Sequence, residues 1–211
     1  MAFAFERFHV EPDAANRMRE NPLRLAVTGT WRGEDEYERH RNAWAVLRES
    51  VLERDGRTCR YCGWAKPPFH VHHVDGDPRN DALPNLMTVC PLCHACRHIG
   101  RTVSAGLGGV VETEGPRNPC LQNELDFVLR AAWDAGVFPT PSGLGRAMRS
   151  AVGVTELRAV GAEEVWREAD EAARYGGTAL LPAEWLFVPA GTFWEEFFEK
   201  GGSASCRRER R

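Results

Sequence analysis

From Glu34 to Arg54 the chain reads EDEYERHRNAWAVLRESVLER, and Tyr37, Trp44, Leu47, Val51 and Leu52 fall near one face of a helix. That spacing predicts an amphipathic helix, which Asp55-Gly56 ends. The same period returns in LQNELDFVLRAAWDAG, where Leu121, Leu125, Val128, Leu129 and Ala132 share a face and Gly136 stops the run. AEEVWREADEAARYG predicts another helix closed by glycine. TFWEEFFEK predicts a short last one, with Thr192 and Glu195 as a capping box. Ahead of these, LRLAVTGTW is a candidate strand in an otherwise irregular lead-in. SAGLGGV reads as a glycine-rich turn and ETEGPRNPC as a linker. The expected organisation is a lead-in over 1–33, a module with its preceding helix over 34–111, a mainly helical region over 112–201 and a disordered basic tail over 202–211.

Composition changes this picture in two ways. With 211 residues, 43% of them hydrophobic, and with seven Trp and ten Phe, the chain can build a core without covalent staples. No apolar run approaches the roughly 20 residues of a membrane span, and the opening MAFAFERFHVEPD lacks the layout of a secretory signal. A cytoplasmic protein without membrane insertion is expected, its seven cysteines reduced. Charge is uneven. Residues 53–101 hold seven Lys and Arg against five Asp and Glu, with five His besides, whereas residues 112–200 hold eight basic against fifteen acidic residues. A polyanion is expected to meet the first segment and not the second.

The candidate chemistry lies in that first segment. Cys59-x-x-Cys62 and Cys90-x-x-Cys93 are separated by 27 residues. Each pair can form a knuckle whose sulfurs point at one ion, and two knuckles supply the four-sulfur shell of a structural Zn²⁺. Gly63 suits the unusual backbone of the first turn. Cys96 either takes the place of Cys93 or stays an unligated buried thiol, and the second reading is preferred. Cys120 and Cys206 are isolated. The intervening loop, with Asp75, Gly76, Asp77, Pro78 and Asn80, has little helix or strand preference, so ligation is expected to hold its ends together.

Between and after the cysteines stand His72-His73-Val74-Asp75-Gly76, Asn85-Leu86 and Cys90-Pro91-Leu92-Cys93-His94. Over residues 48–98 this pattern resembles the HNH endonuclease family, whose ββα-metal fold hydrolyses phosphodiester bonds. The resemblance implies an α+β fold, with a zinc-braced ββα-metal module embedded in a mainly helical chain. It implies His73 as the general base, with Asn85 bonding loop backbone so that His73 keeps its direction. His72 and His94 would hold a second divalent ion, Mg²⁺ or another, on a DNA phosphate, and His94 would open the helix after the second knuckle. His70 and His98 are read as surface groups, or at most as phosphate contacts.

A longer stretch is similar to the DotN/IcmJ family, HNH-like subunits of the coupling complex in type IVB secretion. It runs from Glu53-Arg54-Asp55-Gly56-Arg57-Thr58-Cys59 through Asp75-Gly76-Asp77 to Cys90, then Ser104–Gly109 and Gln122-Asn123-Glu124-Leu125. That family uses the fold as a zinc-held scaffold docked on a partner. The alternative it implies is a non-catalytic subunit of a secretion or conjugation complex, binding a protein partner through residues 112–200.

Overall fold

The computed structural model describes residues 12–28, 34–114, 119–134, 156–175 and 178–199. In chain order these form α1 (Pro12–Glu20), β1 (Ala26–Thr28), α2 (Glu34–Arg54), β2 (His70–His73), a 3₁₀ turn (Leu83–Asn85), β3 (Leu86–Val89), α3 (Pro91–Arg97), α4 (Ile99–Ser104) and β4 (Gly108–Glu114). Then come α5 (Leu121–Asp134), β5 (Glu156–Val160), α6 (Ala162–Tyr175), β6 (Thr178–Leu180), β7 (Trp185–Pro189), α7 (Gly191–Trp194) and a π-helical turn (Glu195–Glu199). The class is α+β, mixed helix with small sheets. Residues 202–211, expected to form a disordered tail and including Cys206, and residues 29–31 of the candidate strand lie outside the described residues.

Helix α2 ends as its sequence dictates. Gly56, at φ +63°, lets its N–H reach the Glu53 carbonyl while Arg57 N–H reaches Leu52, which closes the last carbonyls in a Schellman motif. The residue between helix and motif then works outward: Asp55 Oδ2 accepts the Thr88 N–H at 2.7 Å, and Arg54 donates to the carbonyls of Leu83 and Leu86 at 2.7 and 2.6 Å. The end of α2 is thereby tied to β3. Strands β2 and β3 pair antiparallel, with His72 opposite Met87 and His73 opposite Leu86. Helix α3 follows β3 directly, so β2, β3 and α3 make a ββα unit.

The other sheets are small. β1 pairs with β6, and β4 sits between β5 and β7, all antiparallel. Strands β5, β6 and β7 lie within the region expected to be mainly helical. They are three to five residues long, and β7, WLFVP, is a continuous apolar run without alternation. The glycine-rich turn also differs: Gly108 and Gly109 enter β4, which continues through Glu114 into the expected linker. Thr192 is not a cap. The helix begins after Ala190, and the Thr192 hydroxyl donates to the Gly106 carbonyl at 3.0 Å.

Helix α5 carries the fold's polar anchors. Leu125 and Leu129 enter the core, and beside them Gln122, Asn123, Asp126 and Arg130 are also buried. Asn123 Nδ2 donates to the carbonyls of Asn21 and Tyr61, both at 2.9 Å, and its Oδ1 accepts the Leu23 N–H at 2.7 Å. One amide thus fastens the N-terminal segment and the first cysteine turn to α5. Gln122 accepts the Phe187 N–H at 2.8 Å and binds β7 to the same helix.

Asn123→Ala removes the partner of the buried Tyr61 carbonyl and Leu23 N–H and of the half-buried Asn21 carbonyl, at about 1–3 kcal/mol for each buried unmet group. We expect a loss of about 3 kcal/mol in urea unfolding. A loss below about 0.5 kcal/mol would show that these groups find other partners.

Candidate functional site

Two turns bring the four paired cysteines together. In the first, the Cys59 N–H donates to Trp64 O at 2.8 Å and the Gly63 N–H to Cys59 O at 2.9 Å. Gly63 has φ +76°, and a Cβ there would lie 2.6 Å from the Ala14 Cβ, so both the backbone and the approach of α1 demand glycine. In the second, Cys90 caps α3, its Sγ accepting the Cys93 N–H at 3.5 Å, with Pro91 in the first helical turn. The Arg60 N–H donates to Thr88 O and joins the two turns. The four Sγ atoms lie within 4.8 Å of one another and none is exposed.

Four thiols so placed restrain each other. Burial pushes Cys62, Cys90 and Cys93 up, whereas in Cys59 burial is outweighed by hydrogen bonds from the other three thiols, which hold it well down. A divalent ion at the centre would favour the thiolate form of all four. The donor set suits a metal. Cys96 stands apart from it and donates its S–H to Asp126 Oδ2 at 3.7 Å.

A second group of donors lies on the ββα unit. Neighbours on a strand face opposite ways. His72, 2% exposed, turns toward α3, while His73 turns toward α2, where its ring stacks on Trp44 at 5.5 Å and 12°. His94 in the middle of α3 and His98 at its C-cap follow one turn apart. The nitrogens that His72, His94 and His98 offer lie within 4.8 Å of one another. Burial is the first cause lowering every one of these rings: His98 falls to about 4, and His72 and His94 fall well below the ordinary range. They stand neutral at neutral pH, with lone pairs to share. Both ring nitrogens of His72 are buried without a hydrogen-bond partner. An orphaned imidazole facing two others fits a divalent ion, held by His72, His94 and His98.

The structure therefore joins His72 and His94, as expected together, and adds His98. His98 and His70 are half-buried and not surface groups. The signal for His98 was present in its i, i+4 spacing from His94 on a helix. His94 does not open that helix, which begins at Pro91. Asn85 ties up the loop after β2: its Nδ2 donates to Asp75 Oδ1 and Asn80 O, both at 2.9 Å, and its Oδ1 accepts the Asp75 N–H at 3.1 Å. The direct polar contact of His73 is Asp81, with Nε2 2.9 Å from Oδ1. Nothing in the sequence singled out Asp81 or Trp44 for this.

Comparison with known proteins points the same way. Residues 59–99 match the family model of the HNH endonucleases, so the ββα unit and its cysteine turns make up a segment of HNH type. A stretch of 62 residues is 32% identical to the type 4 apparatus protein DotN of Legionella pneumophila, covering 29% of this chain and 29% of that protein. Both family resemblances read from the sequence are thus found again, over a minority of the chain.

Cys62→Ser should lose one equivalent of bound divalent ion by elemental analysis, together with cooperative unfolding. Cys96→Ser should keep the ion. An unchanged metal content in the first variant would remove the four-sulfur site.

Proposed function

We propose that the chain is a divalent-ion-dependent endonuclease that hydrolyses DNA phosphodiester bonds. The observation that carries this is the His72, His94 and His98 cluster, with the orphaned ring of His72, on a ββα unit of HNH type. In this reading Zn²⁺ fills the Cys59, Cys62, Cys90 and Cys93 site and is structural. The three imidazoles hold a second divalent ion, and an all-nitrogen set favours a transition ion over Mg²⁺. That ion would supply charge stabilisation on the scissile phosphate.

The remaining chemistry belongs to His73 and its neighbours. With its Nε2–H given to Asp81, the ring keeps its lone pair at Nδ1, and Nδ1 takes the proton from the attacking water. Trp44, stacked on the ring, limits its rotation. Asn85 closes the loop from Asp75 to Asn80 and so holds Asp81 within reach of His73. Free, reduced cysteines suit a cytoplasmic setting, and among the described residues no helix is long and apolar enough to cross a membrane.

A second reading rests on the likeness to the type 4 apparatus protein DotN. In it the zinc-braced unit is a scaffold within a secretion or conjugation complex, and the acidic region 112–200 carries the protein partner.

Nicking of supercoiled plasmid separates the two. With Mn²⁺, Ni²⁺, Zn²⁺ or Mg²⁺ the wild type is expected to cut, and His73→Ala to fall by about 10²–10⁴-fold, the usual contribution of a positioned base. Equal inactivity of both proteins with every ion would overturn the nuclease and leave the scaffold.

A further inference from the structure

His70 opens β2, two residues before His72, with its backbone fixed opposite Val89. Its Nδ1 lies 2.8 Å from the Nδ1 of His94, and the two rings meet edge-on at 4.9 Å and 83°. On the other side the Phe197 ring meets it at 5.8 Å. Arg48 donates to the neighbouring Phe69 carbonyl at 2.8 Å and holds the strand's entry. The ring thus packs between His94 and Phe197 on a strand whose entry Arg48 holds.

One proton occupies the contact between the two Nδ1 atoms, and its owner decides what His94 can do. A neutral imidazole carries a single N–H. If His94 accepts at Nδ1, its proton sits on Nε2, which then has no lone pair to share. If His94 donates from Nδ1, its Nε2 is a free lone pair. Only the second arrangement makes His94 a ligand. Ligating histidines generally give their other N–H to an acceptor that fixes tautomer and direction.

This step rests on reading His72, His94 and His98 as an ion site. We propose that His70 is the positioning residue of that site: its Nδ1 accepts the Nδ1–H of His94, so that Nε2 of His94 faces the point shared with His72 and His98. An imidazole acceptor differs from the more usual carboxylate in adding no negative charge. The ion's full charge is then left to act on an anionic substrate.

The test uses the full chain with its sulfur site filled by Zn²⁺, titrated with Co²⁺ and followed by its visible absorption and by calorimetry. His70→Phe keeps a ring but removes the acceptor, and Co²⁺ binding should weaken roughly 10- to 100-fold, as for other partners of ligating histidines. His70→Gln restores an acceptor oxygen and should bind within about threefold of wild type. Undiminished binding by His70→Phe, or equal weakening in both variants, overturns the role of His70. No Co²⁺ binding by the wild type would instead remove the ion site beneath it. Should His70→Phe not fold, nitrogen NMR of the unaltered protein reads the tautomer directly: His94 protonated at Nδ1 supports the assignment, and protonation at Nε2 overturns it.

Discussion

The structure depends on four buried thiols brought within reach of one another. One pair, Cys59 and Cys62, lies in the turn after α2; the other, Cys90 and Cys93, begins α3. Their meeting fixes the end of one helix against the start of another across 27 intervening residues. Burial disfavours thiolates, and a divalent cation at the centre would reverse that preference. The same geometry then sets the histidines. α2 lies on the face of β2 that carries His73, α3 on the face that carries His72, and the alternation of a single strand divides two chemistries.

Charge near the sulfur group is balanced by the rest of the chain. Burial pushes the Asp126 carboxyl up to about 7, so the group nearest Cys96 carries less than a full negative charge beside the thiolates. Arg130, one turn further along α5, is buried with Nε and Nη1 lacking partners, while its Nη2 donates to Pro67 O at 2.6 Å. Its cation interacts with Cys90 and Cys62. A helix that brings a cation and a protonatable acid toward a tetrathiolate is matched to it electrically as well as in shape. Filling of the four-sulfur site would therefore be coupled to the packing of α5 beside it.

What the sequence made legible follows from range. Helices α2, α5 and α6 were readable because their apolar residues repeat within one segment, and the cysteine turns because two-residue spacing is itself the geometry of a knuckle. The second half of the histidine group was less so. His98 lies four residues from His94, a relation that counts only once α3 is known to carry His94 and to end at His98 as its cap. Asp81 and Trp44 reach His73 from a loop and a distant helix, contacts that no local pattern encodes. Strands β5 to β7 escaped because they are short and find partners in β1 and β4, far away in the chain.

The two functional readings differ in what they require of the interior. A scaffold needs the sulfur site alone. Burying His72 with neither nitrogen satisfied costs about 1–3 kcal/mol for each unmet group, and an apolar side chain in its place would avoid that cost. A divalent ion between the three imidazoles, whose nitrogens lie within 4.8 Å of one another, would offset that cost. His73, on the opposite face of the same strand, is held by a carboxylate and an indole in a way the sulfur site does not need. An orphaned imidazole facing two others, with a fourth fixed by a carboxylate and an indole on the opposite face, is the feature on which the proposed nuclease and the scaffold differ.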